Sequence, residues 1–203
     1  MAKKSKAQER IYMVLFMFGI SVLFISVIAA VHLATRETVE RNRSLFVKRS
    51  VLSTAGVTPP ETAKEVEKLF SEIAQPIPKD VPVYYKVKTA NGEKTVLIQP
   101  GSGLWGEIIA HVGFDADKKT LSGINFIVQS ETPGLGARIA EPWFQTQFIG
   151  KYAPFVFVPE KTKSEKPTEF DAITGATVTT TAVRNIVNTA SKRVKELKNG
   201  GAK

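Results

Sequence analysis

A chain of 203 residues has room for one domain plus an appendage and enough length to bury a core, which excludes a large multidomain enzyme. It holds no cysteine, so disulfides, thiolate nucleophiles, iron-sulfur ligation and covalent haem attachment are all removed. His32 and His111 are too few for a histidine-rich metal site, and any redox role therefore rests on an organic cofactor. The net charge of +9 and pI near 9.7 suit an anionic membrane surface, and no nucleic-acid motif accompanies them.

Residues 11–34, IYMVLFMFGISVLFISVIAAVHLA, run for 24 positions without Asp, Glu, Lys or Arg. At about 1.5 Å rise per residue a helix of that length crosses a hydrocarbon core of roughly 30 Å. A cleavable signal peptide has a shorter apolar region, of about 7 to 15 residues, so the run reads as an uncleaved anchor in the lipid bilayer. Lys3, Lys4, Lys6 and Arg10 make residues 1–10 a basic tail; Arg36, Arg41, Arg43, Lys48 and Arg49 follow the span. These charges balance under the positive-inside rule, and the simpler arrangement keeps the short tail in the cytoplasm and translocates the C-terminal part. With no formally charged side chain inside it, the span offers no ion or proton relay of its own.

Residues 35–80 read as a membrane-proximal helical collar. Val39, Leu45, Phe46 and Leu52 recur among charges up to Gly56, and a second helical pattern (Val66, Leu69, Phe70, Ile73) opens behind Pro59 and Pro60, proline suiting a first turn. QPIPKDVP then breaks the chain ahead of the main domain, residues 81–203. There VYYKVKTANGEKTVLIQP alternates apolar and polar residues about Asn91-Gly92, and EIIAHVGFDADKKTLSGINFIVQ repeats the pattern about residues 115–119. At least four antiparallel strands are predicted, with YAPFVFVP as one more and the Lys-rich stretch 161–166 as a solvated loop. Val183, Ile186, Val187, Ala190, Val194 and Leu197 give the last helix one buried face; Lys192, Arg193, Lys195 and Lys198 suit its C-terminal end, and Gly200 stops it. Strands followed by segregated helices predict an α+β fold.

Three constellations carry chemistry. GSGLWG, residues 101–106, fits G-x-G-x-x-G, but a strand and a hairpin follow it where a dinucleotide site needs a helix and a second parallel strand; it reads as a glycine-rich turn displaying Leu104 and Trp105. ETPGLGARIAEPWFQTQFIGK, residues 131–151, holds a bent loop at Pro133, Gly134 and Gly136 whose backbone can approach a flat ligand, with Trp143, Phe144 and Phe148 as core or as a binding wall. FDAITGATVTTTAV places five threonines between residues 174 and 181, just where the last helix begins. One hydroxyl suffices to cap a helix, and the others leave phosphate contact at a helix N-terminus as the second reading.

Asp171-Ala172-Ile173-Thr174-Gly175-Ala176-Thr177 resembles the D-x-x-(S/T)-G-A-(S/T) flavinylation motif of bacterial FMN-binding proteins. ETPGLG, PWF, FIGK and the N-terminal single span are similar to the same family, shared by the C subunit of the sodium-translocating NADH:quinone oxidoreductase and the G subunit of the Rnf ferredoxin:NAD oxidoreductase. GSGLWG and SGINFIVQSETPGLG look more like the quinone-reductase subunit, although the chain is shorter than that subunit usually is.

The resemblance implies FMN joined by a phosphoester to Thr177, attached by a separate FAD-dependent flavin transferase. Asp171, Thr174, Gly175, Ala176, Thr179 and Thr180 would surround the phosphate. Glu131, Thr132, Pro133, Gly134, Leu135 and Gly136 would lie against the isoalloxazine, with Leu104, Trp105 and Trp143 as apolar walls. No side chain need act as acid or base, and no metal is implied. The expected protein is a covalently flavinylated electron-transfer subunit of an ion-translocating oxidoreductase, single-pass in the bacterial cytoplasmic membrane, with its domain on the periplasmic or extracellular side and other membrane subunits as partners. The alternatives are a free-standing extracytoplasmic FMN carrier and a non-redox anchored binding or assembly module.

Overall fold

The computed structural model describes residues 6–78 and 83–197. Lys3 and Lys4 of the tail, part of the break before the main domain, and Lys198 and Gly200 lie outside the described residues. The chain forms two compact units, one through Ser44 and one from Leu45. In the first, the helix α1 (Lys6–Thr54) carries the apolar run with its side chains exposed. Among the described residues it is the one helix long and apolar enough to cross a membrane.

The second unit is built on an antiparallel sheet in the order β1 (Ala74–Ile77), β2 (Tyr84–Thr89), β3 (Gly92–Ser102), β4 (Glu107–Phe114) and β5 (Leu121–Val128). The first hairpin turns through Ala90 and Asn91, Gly92 pairing with Thr89 at φ +107°, one residue earlier than the Asn-Gly pair predicts. β1 is an addition: Gln75 and Pro76, within the predicted break, pair with Lys86 and Tyr85, and proline is tolerated because this is the sheet edge. α2 (Ala63–Ile73) begins later than Pro59 and Pro60 predict, because the Thr62 hydroxyl accepts the Glu65 N–H and makes Thr62 its N-cap.

Strand alternation gives the sheet two buried faces. On one, Leu97, Ile108, Ala110, Val112, Phe114, Leu121, Ile124 and Phe126 pack with α4 (Thr177–Glu196) and a group of edge-to-face and tilted rings that includes Phe144, Phe148, Phe155 and Phe170. Val183, Ile186, Val187, Ala190 and Val194 are buried as their spacing predicts. Leu197 packs half-buried at the helix end, where its carbonyl accepts Lys118 Nζ at 2.7 Å. The strand predicted in YAPFVFVP is β6 (Val156–Val158), which stays out of the main sheet and pairs in parallel with β7 (Glu169–Asp171). That pairing brings Asp171 and the turn after it beside residues 159–163.

On the opposite face, Tyr85, Val87 and Val96 pack with Val51 and Ala55. Gly113 and Gly123 leave room for the Thr54 carbonyl, which would lie 2.5 and 2.9 Å from a Cβ added at either, and which accepts Ser122 Oγ–H at 2.8 Å. His111 is buried against Ser50, Nδ1 to Oγ 2.7 Å, with the Tyr85 ring edge-on and Nε2 unpartnered. Burial lowers its pKa from 6.5 to about 4. The unfolded chain therefore binds a proton between those values that the folded one refuses, so stability is full above pH 6.5 and falls as pH drops toward 4. The loss reaches about 3 kcal/mol. Thermal melts should show this decline in the wild type and a flatter profile in His111→Gln; parallel profiles would refute the assignment.

Candidate functional site

The three constellations converge on one carboxylate. Glu131, 5% exposed, accepts the backbone N–H groups of Leu104 (2.9 Å) and Trp105 (3.2 Å) at Oε1, and the Thr179 hydroxyl at Oε2. It thereby ties the turn after β3, the loop after β5 and the first turn of α4 into one surface. Two glycines exist because of this clamp: a Cβ at Gly103 would stand 2.6 Å from Glu131 Oε1, and one at Gly136 would stand 2.5 Å from Thr179 Oγ1 and 2.7 Å from Glu131 Oε2. A second tie holds the exposed loop, Trp105 Nε1–H donating to Thr132 Oγ1 at 3.0 Å. Thr132 O then accepts the N–H groups of Leu135 and Ala137, and Gly134, just before Leu135, adopts φ +74°.

At the helix start the threonines divide by role. Ala176 is the N-cap and makes no side-chain cap, so none of the hydroxyls serves the capping reading. Thr180 is buried; its Oγ1 accepts the Ile173 N–H at 3.2 Å and donates to the Ala176 carbonyl at 3.0 Å, folding the turn back on the helix. The hydroxyls of Thr179 and Thr180 thus donate within the protein, to Glu131 and Ala176, and are not free to donate to a phosphate as the resemblance implied. Thr177, the first helical residue, is exposed, as are Thr174 and Gly175. Gly175 takes φ +77°, and a Cβ there would meet Leu135 at 3.1 Å. Unpaired N–H groups at an uncapped helix start favour an anion.

Around this start the surface is apolar. Leu104 is 55% exposed, Trp105 69%, Leu135 42% and Val178 53%, and all four belong to segments joined through Glu131 or Gly175. Val178 was not singled out in the sequence; its place beside Thr177 on the first turn is the signal that would have found it.

Other expected residues stand elsewhere. Asp171 is buried; its Oδ2 accepts the Lys163 N–H at 2.9 Å and its own N–H donates to Gln147 Oε1 at 2.6 Å, so it braces the 159–168 loop, while its Oδ1 is buried without a hydrogen-bond partner. That loop is therefore not merely solvated. Trp143 follows Pro142 in α3 (Pro142–Thr146) and lines a cavity of about 590 Å³ with Arg138, Glu160, Lys163 and Asp171. Its Nε1–H donates to Glu141, and the Arg138 guanidinium lies 5.1 Å from its ring centre. Arg138 and Glu160, which the sequence reading passed over, form a two-point pair whose Glu160 Oε2 also accepts the Thr174 N–H at 2.7 Å. Arg138 first, then Thr174, hold the Glu160 carboxyl at about 2, well below its ordinary value.

An exposed hydroxyl on an uncapped helix start, bounded by exposed apolar side chains, fits a phosphate ester carrying a flat ring system. The FMN-binding domain family matches residues 103–192, which contain each of these segments. Over 200 residues the chain is 36% identical to the G subunit of the Na(+)-translocating ferredoxin:NAD(+) oxidoreductase complex of Acetobacterium woodii, covering 93% of this chain and 95% of that one. The chain belongs to this FMN-binding family.

A second member of the family, the C subunit of the Na(+)-translocating NADH-quinone reductase of Yersinia pestis, is 36% identical over 113 residues, 51% of this chain and 42% of that one. The match spans less than half of that quinone-reductase protein and nearly all of the ferredoxin:NAD(+) oxidoreductase one. The quinone-reductase likeness of residues 101–136 is thus local, whereas the match to the Acetobacterium woodii protein runs the length of the chain. Solved structures share the fold: the C subunit of the Na(+)-translocating NADH-quinone reductase from Parabacteroides distasonis ATCC 8503 superimposes with a TM-score of 0.68 at 23% identity, over 82% of this chain and 98% of that one. The Shewanella oneidensis NqrC gives 0.62 at 20%, over 76% and 98%.

Proposed function

We propose that this chain is a membrane-anchored electron-transfer subunit of an ion-translocating oxidoreductase of the Rnf or NADH:quinone type, carrying FMN as a phosphoester on Thr177. The observation that carries the reading is the exposed Thr177 hydroxyl at the uncapped start of α4, with Leu104, Trp105, Leu135 and Val178 exposed on the segments joined there. The family membership supports FMN, and the full-length likeness to a ferredoxin:NAD(+) oxidoreductase subunit supports the complex.

Thr177 supplies the acceptor oxygen. A transferase sets it against the riboflavin-side phosphorus of FAD; the new O–P bond forms, the pyrophosphate bond breaks, AMP leaves and the hydroxyl proton passes to a base of the transferase. The N–H groups at the uncapped start of α4 would hold the diester, whose charge would be smaller than that of a monoester. Leu104, Trp105, Leu135 and Val178 would exclude water from the ring, and Glu131 and Thr132 hold the segments that carry Leu104 and Trp105 in place. FMN when bound supplies the redox chemistry, while this chain sets its position and surroundings.

Residues 11–34 anchor the chain in the cytoplasmic membrane, residues 1–10 stay inside, and the flavin domain, which takes in β1 and the helical residues Val51 and Ala55 packed on its sheet, lies on the outer face. There a covalent bond prevents loss of the cofactor. With no charged side chain in its span, the chain leaves ion movement to partner subunits.

The test is the intact mass of the full chain, purified with and without a co-expressed flavin transferase, followed by peptide mapping. A gain of about 438 Da on the peptide holding Thr177 is expected. An unmodified mass, where a control flavoprotein is labelled, would sink the reading in favour of the binding module. Co-purifying membrane subunits separate a complex from a free-standing carrier.

A further inference from the structure

We infer that Glu160 and Arg138, neither part of the acceptor motif, are positioning residues that lock the attachment turn to the loop carrying Leu135, and so fix the flavin ring relative to its anchor. This rests on the Thr177 reading. A phosphoester fixes one end of a flexible ribityl chain, and every rotatable bond between phosphate and ring must be restrained by the protein if the ring is to keep one position. The anchor lies on the turn at residues 174–177, the wall residue Leu135 on the loop before the 3-10 helix Gly136–Ala140, and these segments are some forty residues apart in sequence.

Arg138 and Glu160 join them. Arg138 Nη2 meets Glu160 Oε1 at 2.8 Å and Nη1 meets Oε2 at 3.3 Å, while Oε2 accepts the Thr174 N–H at 2.7 Å. Arg138 is held in turn by Glu141, 3.5 Å from its Nε, and by the Trp143 face. The pair is mostly buried, its side chains 25% and 11% exposed, and two-point guanidinium–carboxylate contacts define direction as well as distance. Glu160 stands just beyond β6, and its register is set by the parallel pairing with β7, which leads directly into the turn. The bridge therefore has its own structural support on both sides.

The test uses the full-length protein in detergent, flavinylated by co-expressed transferase, as wild type, Glu160→Ala, Glu160→Gln, Arg138→Lys and Lys94→Ala, which breaks the remote ion pair of Lys94 with Asp115 (3.1 Å). Intact mass reads attachment, melting temperature reads stability, and flavin anisotropy decay with iodide quenching reads ring mobility and exposure. All variants should carry covalent FMN. Glu160→Ala should raise the quenching constant severalfold and add a fast anisotropy component, Glu160→Gln and Arg138→Lys should fall between it and wild type, and Lys94→Ala should match wild type. Unchanged mobility and quenching in Glu160→Ala overturns the inference; should that variant fail to fold, unchanged values in both Glu160→Gln and Arg138→Lys overturn it. A wild type without the added mass refutes the Thr177 reading, and this inference with it.

Discussion

Thr177→Ala, co-expressed with a flavin transferase, should yield a folded protein with no covalent flavin. The side chain is exposed and sits at the first position of α4, where alanine is the better helix former, so stability should stay within about 0.5 kcal/mol of wild type. Nothing else in the turn can replace it: Thr179 and Thr180 have buried hydroxyls committed to Glu131 and to Ala176. Thr174 is exposed, but its N–H is pinned by Glu160 and it lies outside the helix start. Thr177→Ser should keep part of the labelling because it keeps the hydroxyl, and Thr181→Ala should keep all of it. In-gel fluorescence after denaturation, together with intact mass, decides; residual covalent flavin in Thr177→Ala would move the attachment point elsewhere.

The second large effect belongs to Glu131. Replacing it with alanine removes one acceptor group from three donors, two of them backbone N–H groups of the turn that displays Leu104 and Trp105, and the third a buried hydroxyl. The expected destabilisation is about 2–4 kcal/mol, which for a unit of this size lowers the melting temperature by roughly 5–15 °C. Glu131→Gln should cost markedly less, since its amide oxygen can still accept from Leu104 and Trp105 while the Thr179 hydroxyl turns to accept. Limited proteolysis should find the first new cleavage in residues 101–106 or 131–136. A melting temperature unchanged in Glu131→Ala would mean that the three segments hold together without the clamp.

Much of this was legible in the chain itself. Alternation about the first hairpin and about residues 115–119 placed β2 to β5, and the helical spacing of Val183, Ile186, Val187, Ala190 and Val194 placed the buried face of α4, because one-sided burial imposes a period. β1 was hidden because a proline-containing edge strand needs no alternation and gains its partner from a segment ten residues on.

The site was legible as three separate stretches, but not as a junction, since the residue joining them is a lone glutamate whose partners are mostly backbone N–H groups. Glu160 carried no local signal at all, lying beside a lysine-rich stretch that resembles solvent-exposed loop. Its importance comes from the β6–β7 pairing, a contact across more than ten residues. Trp143 lines a cavity with Arg138, Glu160 and Asp171, neighbours that its closeness in sequence to Gly136 does not reveal.

The chain's two tryptophans stand in opposite circumstances. Trp143 is half-buried under a guanidinium, its indole N–H committed to Glu141, while Trp105 lies 69% exposed on the surface next to the attachment turn. Intrinsic emission therefore divides into two reporters without any label being added. Trp105 emits from an exposed setting and is open to collisional quenchers. Trp143 reports instead on the packing beneath the bridge, so quencher accessibility separates the exposed 101–106 turn from the scaffold beneath it.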